Sequence, residues 1–439
     1  MQHSWESDYR ERLCQPEEAV DRVIKSGDRI FLGGLKVPTE ILQIITQRVL
    51  DGQYHHLGYY AQMVLDDMGL DNPALKEDML RHYSIFYGAR ERQDRESHTT
   101  TITPVQFYNL QRYYEFISPD VGIFQVSPPD ERGMCSLGPM ACGFSSSAIP
   151  YVKNIILRVN RKLPRVYGIN TDIPVSAAAA IVETDEDLPN TSTGLPSPTE
   201  EKIASYILER IDDGACIQLG IGGIANAVGY GLASKKHLGA HSEMLAESIV
   251  HLMKLGVIDN SRKKLHPGRS LVGFTSGRPE TFAFTHENKD LLFASYDYIN
   301  NFNNVIQNDN FVSVNNTLSI DLSGQVSSES FGTRQYSGSG GQVDYVRAAQ
   351  WSKNGKSFFV LTSTVNTKDG VVSRIVPTFP AGTTVTTLRS DVQYVVTEYG
   401  CVNLFGQDMP NRARMLISIA HPDFRDQLTF EAKKLGLLY

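Results

Sequence analysis

The chain has 439 residues, of which 41% are hydrophobic and 21% charged, with a formal net charge of -7. That length favours two domains, with three as the upper count, each able to bury a core. The acidic balance and the lack of any run of five Lys or Arg argue against a nucleic-acid partner, and no apolar run reaches the roughly 18 residues that span a bilayer.

The start, Met1-Gln2-His3-Ser4-Trp5-Glu6-Ser7-Asp8, is polar and has no apolar core of a signal peptide. A helix-like segment follows from Glu17 to Ile24. Next come the turn Ser26-Gly27-Asp28, an apolar run ending in Gly33-Gly34, then Pro38 and the helix-like Thr39 to Ile45. Val121 to Val126 and Asn154 to Val159 read as buried strands. From Asp185 to Thr199, three prolines with Ser, Thr and acids mark a linker, and the domains are expected to be 1–190 and 191–439. A helix follows from Glu200 to Ile211, with Ser197 or Thr199 as its cap. Then the first pattern returns: the turn Asp212-Asp213-Gly214, the apolar run Ala215 to Leu219, the loop Gly220-Ile221-Gly222-Gly223 and a helix-like Ala225 to Leu232. One αβα unit used twice implies two related α/β halves, with chance similarity of glycine turns as the alternative.

The Gly220–Ile224 loop follows a strand and opens a helix, so its free amides suit an anion or cofactor. It lacks the third glycine of a dinucleotide fingerprint and the Gly-Lys-Ser/Thr of a P-loop, and a purely structural tight turn stays open. Beyond it lies Gly239-Ala240-His241-Ser242-Glu243-Met244-Leu245, in which Glu243 is the sole carboxylate between Asp213 and Glu247. A lone acid between glycine loops suggests a nucleophilic carboxylate; the plainer reading is a helix-start or surface residue. His237 and His241 are four apart, but Gly239 intervenes and Lys235 and Lys236 make His237 a helix-end residue, so no metal is expected. Ser145 to Ser147 carry no Gly-x-Ser-x-Gly elbow. Farther on, Phe311–Val314, Ser357–Leu361, Thr383–Leu388 and Tyr394–Thr397 read as strands. Asn315 to Val326 reads as a hairpin whose polar side chains face a cleft or solvent. Gly338-Ser339-Gly340-Gly341 enters a helix from Val343 to Trp351. The five cysteines, Cys14, Cys135, Cys142, Cys216 and Cys401, are scattered and form no Cys-x-x-Cys, which fits a reducing cytoplasm; Cys216 reads as a small core residue.

Taken together, the ordered motifs Ser26-Gly27-Asp28-Arg29, Val126-Ser127-Pro128-Pro129-Asp130, Gln218 to Gly222, His237 to Met244, Gln335 to Asp344, Ser373 to Pro377, Val395 to Gly400 and Ile419 to Phe424 resemble the acetyl-CoA hydrolase/transferase family. Within it they are most similar to the 4-hydroxybutyrate and butyrate:acetate CoA-transferases. The resemblance implies two similar CoA-transferase-type (NagB/RpiA-like) open α/β domains with the active site between them. It makes Glu243 the residue that becomes a glutamyl-CoA thioester. It places coenzyme A on Gly220, Ile221, Gly222, Gly223 and Ile224, on the backbone near Leu318, and on Gly340 and Gly341. Coenzyme A is then a substrate and a transient covalent adduct, with no tightly bound cofactor and no metal. A homodimer is expected from the same resemblance. One departure is Ala246-Glu247-Ser248, where the family often has Ser-Asp-Gly, and it bears on the shape of the acyl pocket.

Such chemistry needs no proton moved at the reacting carbonyl, hence no obligatory histidine. It needs oxyanion donors, for which the amides of Gly340-Gly341 or Gly222-Gly223 are candidates, one donor being worth roughly 3 kcal/mol. Gln218 is the candidate for orienting Glu243 or the acyl group. The reading is CoA transfer between a short-chain acyl-CoA (4-hydroxybutyryl-, butyryl- or acetyl-CoA) and a carboxylate such as acetate, by a ping-pong route. The alternatives are an acyl-CoA hydrolase at the same site and a non-covalent phosphosugar or other ligand-binding protein of related topology.

Overall fold

Both sequence repeats fold as αβα units, each at the centre of a parallel sheet. The computed structural model describes residues 4–94, 98–192 and 194–439; Met1 to His3 of the polar start and Thr193 of the linker lie outside the described residues. The first repeat comprises helix Pro16–Val23, strand Arg29–Gly33 and helix Thr39–Leu50. The second comprises helix Pro198–Leu208, strand Cys216–Leu219 and helix Gly223–Gly231. In each, a glycine with positive φ turns helix into strand, Gly27 at 84° and Gly214 at 76°, a conformation that costs other residues strain. Of the two cap candidates, Ser197 is the cap. Its hydroxyl accepts from Glu200 N and the Glu200 carboxylate accepts from Ser197 N, satisfying two otherwise orphaned amides.

The chain forms two compact units, 1–191 with 271–299 and 192–270 with 300–439. Residues 271–299 interrupt the second unit in sequence and cluster with the first. In the first unit the strands run in the order Thr100–Ile102, Leu80–Ser84, Leu57–Ala61, Arg29–Gly33, Val121–Val126, Asn154–Asn160 and Ala180–Thr184, all parallel. Ile30, Leu32, Ile41, Ile45 and Ile123 are fully buried in its core. Helix Gly138–Ala148 is buried along its whole length, as its small and apolar residues permit.

The second unit repeats this order around its own central strand. Gly239–Leu245, Cys216–Leu219, Phe311–Asn316, Lys356–Val360 and Tyr394–Thr397 are parallel neighbours, and Gly400–Asn403 closes the edge antiparallel. In both sheets chain order reverses at the strand of the repeat, so each has a switch point at the carboxyl ends of its strands, where ligands of open α/β sheets bind.

The expected hairpin forms, Ser319–Asp321 pairing antiparallel with Val326–Ser327 and turning through Gly324 (φ 92°). Its polar side chains do not all face solvent or a cleft: Ser319 and Asp321 are buried, and Asp321 accepts from the amides of Ser323 and Gln325 within the turn. Thr383–Leu388 is not a strand. Thr386 N and Thr387 N both donate to Val326 O, leaving one isolated bridge, because the strand it meets, Val326–Ser327, is only two residues long. Helices Met409–Ser418 and Pro422–Lys434 bury Leu416, Leu428 and Ala432 with Phe359 and Val395. Among the described residues, no helix is long and apolar enough to cross a membrane.

Candidate active site

Glu243 belongs to a strand whose register fixes its place. Cys216 pairs with Gly239 and Ile217 with Ala240, which sets Ser242 beside Leu219. Ser242 Oγ donates to Leu219 O at 3.3 Å and accepts from Leu219 N at 3.4 Å. The same register puts Glu243 level with Gly220, at the carboxyl end of the sheet beside the switch point. Gly239 through Ser242 are buried, whereas Glu243 keeps partial solvent access.

Alternation along the strand puts His241 on the face of Glu243. The buried His241 ring has its Nδ1 3.2 Å from Asn308 Nδ2, while His237, at φ 57°, pairs with Asp259 at 2.7 Å. The two histidines thus have separate partners and no shared centre with Glu243. Gly239 starts a strand rather than interrupting a helix.

One amide holds the Glu243 carboxylate, and two further residues set its place. Asn300 Nδ2 donates to Glu243 Oε1 at 2.5 Å and to Asp344 Oδ2 at 3.0 Å. Tyr345 OH donates to Asn300 Oδ1 at 3.2 Å, which fixes the amide with its NH2 toward both acids. Gly341 supplies the space: a Cβ there would lie 1.7 Å from Glu243 Oε1 and 2.0 Å from Asn300 Nδ2. Gly341 is also the cap of helix Gln342–Trp351, so the carboxylate sits at the positive end of that helix. Burial pushes the Glu243 carboxyl up, Asn300 pulls it down and Asp344 pushes it up again, leaving it at about 8.

The glycine loops are structurally committed as well as open. Gly222 (φ 127°) leaves room for the Asn316 amide, which donates to Ile221 O. A Cβ on Gly223 would meet Glu200 Oε1 at 1.9 Å. Gly220 N donates to Val314 O, Ile221 is exposed and Ile224 is buried. Gly340 has φ 56°, and its loop is tied by Ser339 Oγ donating to Glu329 and by Tyr336 N and Ser337 N donating to Glu329 O. Leu318 N donates to Ser327 O and Leu318 O accepts from Arg374 Nε at 2.7 Å, so both its backbone groups already have protein partners.

Gln218 behaves differently from its expected role. It is buried and exchanges amide hydrogen bonds with Asn315, whose Nδ2 also donates to Ser313 Oγ. It braces two neighbouring strands, and the amide on Glu243 is that of Asn300. Asp344 closes the motif that begins at Gln335 and Tyr345 follows it in the helix, but the sequence assigns neither a role. Asn300 had no sequence signal at all.

With this geometry in view, two family models match the chain. The acetyl-CoA hydrolase/transferase N-terminal domain covers residues 1–190, and the C-terminal domain of the same family covers 277–432. The chain belongs to the acetyl-CoA hydrolase/transferase family. A succinyl-CoA:cyclohexane-1-carboxylate CoA transferase of Geobacter metallireducens is 39% identical over 99% of this chain and 98% of that one. A 4-hydroxybutyrate coenzyme A transferase of Clostridium kluyveri is 38% identical over 98% and 99%. Among solved structures, RipA from Yersinia pestis superposes with a TM-score of 0.91 at 35% identity, over 99% of this chain and all of that one. Family and fold therefore agree with the reading of the ordered motifs.

Proposed function

We propose that the protein moves coenzyme A between a short-chain acyl-CoA and a carboxylate acceptor through a thioester on Glu243. The observation that carries this is a carboxylate at the carboxyl end of the strand beside the central one, held by one amide and seated on a glycine whose missing side chain it replaces. The relatives' names, spanning succinyl-CoA, cyclohexane-1-carboxylate and 4-hydroxybutyrate, support a carboxylic-acid substrate class. Donors of the 4-hydroxybutyryl, butyryl or acetyl type with acetate as acceptor fit that class. The same proposal includes a reducing cytoplasm, consistent with five free cysteines, and a homodimer that light scattering tests.

In the first step a Glu243 oxygen attacks the acyl carbon, the carbon–sulfur bond breaks, and CoA leaves as thiolate with a mixed anhydride behind it. The thiolate then attacks the Glu243 carbonyl carbon. The anhydride bond breaks, and the donor acid departs as carboxylate. The acceptor carboxylate repeats both steps in reverse order. Coenzyme A would lie along Gly220–Ile224, near Leu318 and against Gly340-Gly341. Amides at the start of helix Gln342–Trp351 are suited to the oxyanions. Because Glu243 titrates at about 8, transfer by the free enzyme rises with pH up to that point.

Intact mass after mixing with butyryl-CoA tests the reading. The expected result is a gain of one CoA less one water, absent in Glu243→Gln and discharged by acetate. No adduct on the wild type overturns the covalent route. The family description also names hydrolases, which makes water the second candidate acceptor. Acyl-CoA loss that does not depend on acetate identifies that activity.

A further inference from the structure

Asn300 presents one nitrogen to two carboxylates. Its Nδ2 lies 2.5 Å from Glu243 Oε1 and 3.0 Å from Asp344 Oδ2, while Tyr345 OH holds the amide oxygen at 3.2 Å. Asn300 is 1% exposed and Tyr345 fully buried, so the amide cannot swing into water to relieve a poor arrangement. The charged group that faces Glu243 is therefore another acid. Asn300 is neutral, Gly341 brings only the partial positive charge of its helix start, and His241, two residues back on the same strand, meets Asn308.

Residue 243 carries a negative charge only as the free carboxylate; as anhydride or thioester it is neutral. A fixed neighbouring anion raises the free energy of the first state and leaves the other two almost untouched. On the reading that Glu243 carries coenzyme A, we propose that Asp344 is a positioning residue that, through the shared Asn300 amide, drives Glu243 toward its neutral acylated forms. Asp344 thus makes the carboxylate more basic as a nucleophile and favours the enzyme–CoA thioester over the resting enzyme. Tyr345 is the second part of the device, because its hydroxyl decides which end of the Asn300 amide faces the acids.

Asp344→Asn and Tyr345→Phe test this in opposite directions, with Asp344→Glu as the control. Asp344→Asn removes the like charge. The acidic limb of the pH–kcat/KM profile for butyryl-CoA should move down by about one unit. The equilibrium constant for adduct formation at about pH 9, where Glu243 is ionised in both proteins, should fall about tenfold by the same linkage. Asp344→Glu restores the charge and should return both readings toward wild type. Tyr345→Phe frees the amide to turn its oxygen to the acids and should move the acidic limb up. If Asp344→Asn does not fold, Tyr345→Phe alone decides the matter through that limb. Unchanged limbs in the folded variants, with a wild type that still forms its adduct, overturn the role of Asp344 and leave Glu243 in place. A wild type without adduct overturns the nucleophile itself; isotope-edited infrared titration of Glu243 then still reads the Asp344 effect independently, by a downward shift in Asp344→Asn or none.

Discussion

The two αβα repeats end in opposite electrostatic arrangements. At the carboxyl edge of the first sheet Glu40, Glu186 and Asp66 each meet a cation: Arg158 pairs with Glu40 at 2.5 Å and Glu186 at 2.8 Å, and Lys36 with Glu186 at 2.6 Å and Asp66 at 3.3 Å. Gln125 adds a further acceptor for Arg158. Burial pushes the Glu186 carboxyl up, but Lys36 and Arg158 more than offset it and hold it below the usual range. At the matching edge of the second sheet, Glu243 meets a neutral amide and a second acid, and its carboxyl rises. The scaffold is shared, so the backbone does not distinguish an acid paired with cations from one held by an amide. What distinguishes them is whether a cation has been built beside the acid.

The sharpest way to break this contrast is to fill the space that Glu243 uses. Gly341→Ala places a methyl within 1.7 Å of Oε1, so the carboxylate must shift by more than an ångström. Transfer should fall by about a hundredfold or more, measured as kcat with butyryl-CoA and acetate, while the circular dichroism spectrum stays the same. A smaller effect comes from the opposite edge. Arg158→Met strands Glu40 and leaves Glu186 with Lys36 alone, each acid having about a third of its side chain exposed, so the loss should be about 2 kcal/mol, below that of a fully buried pair. Urea unfolding measures it. The residual folded enzyme should still form the CoA adduct, since the cation there serves stability.

The mildest expected effect concerns charge alone. The folded-state value of Glu243 lies above its ordinary 4.5, at about 8. Between those values the native protein holds a proton that the unfolded chain has lost, so wild-type stability declines as pH rises through this window. Glu243→Gln removes that decline. The variant should melt together with the wild type near pH 4 and a few degrees above it at pH 8, with no further gap beyond. Coincident melting at both pH values would show that the carboxylate is not destabilised by its surroundings.

Much of the scaffold was legible because it depends on local chemistry. Glycine turns at Gly27 and Gly214, the Ser197–Glu200 cap and the apolar runs at 121–126, 154–159, 311–314, 357–361 and 394–397 each act within a few residues. Thr383–Leu388 misled because β-branched residues favour an extended chain, but a strand also needs a partner edge of matching length, and the one it meets in the distant hairpin is two residues long. Glu243 stood out by isolation and by its motif. Asn300 did not, since it lies 57 residues away and its meaning comes only from register and loop closure. Gln218 shows the converse: a polar residue beside a glycine loop looked available, yet Asn315 on the adjacent strand takes its amide. Residues 271–299 show the same limit at larger scale, because nothing in the linker signals that the chain returns to the first unit.

The nitrogen shared between Glu243 and Asp344 also makes the protein its own spectroscopic probe. The two protons of the Asn300 side chain are inequivalent, and the short contact to Glu243 draws one of them downfield. On the proposed route, acylation of Glu243 removes the acceptor's charge and leaves the Asp344 contact in place. In a sample labelled with nitrogen-15 at asparagine side chains, that pair of resonances would then converge as CoA is loaded and separate as it is discharged, a clock for turnover that requires no reporter group on the substrate.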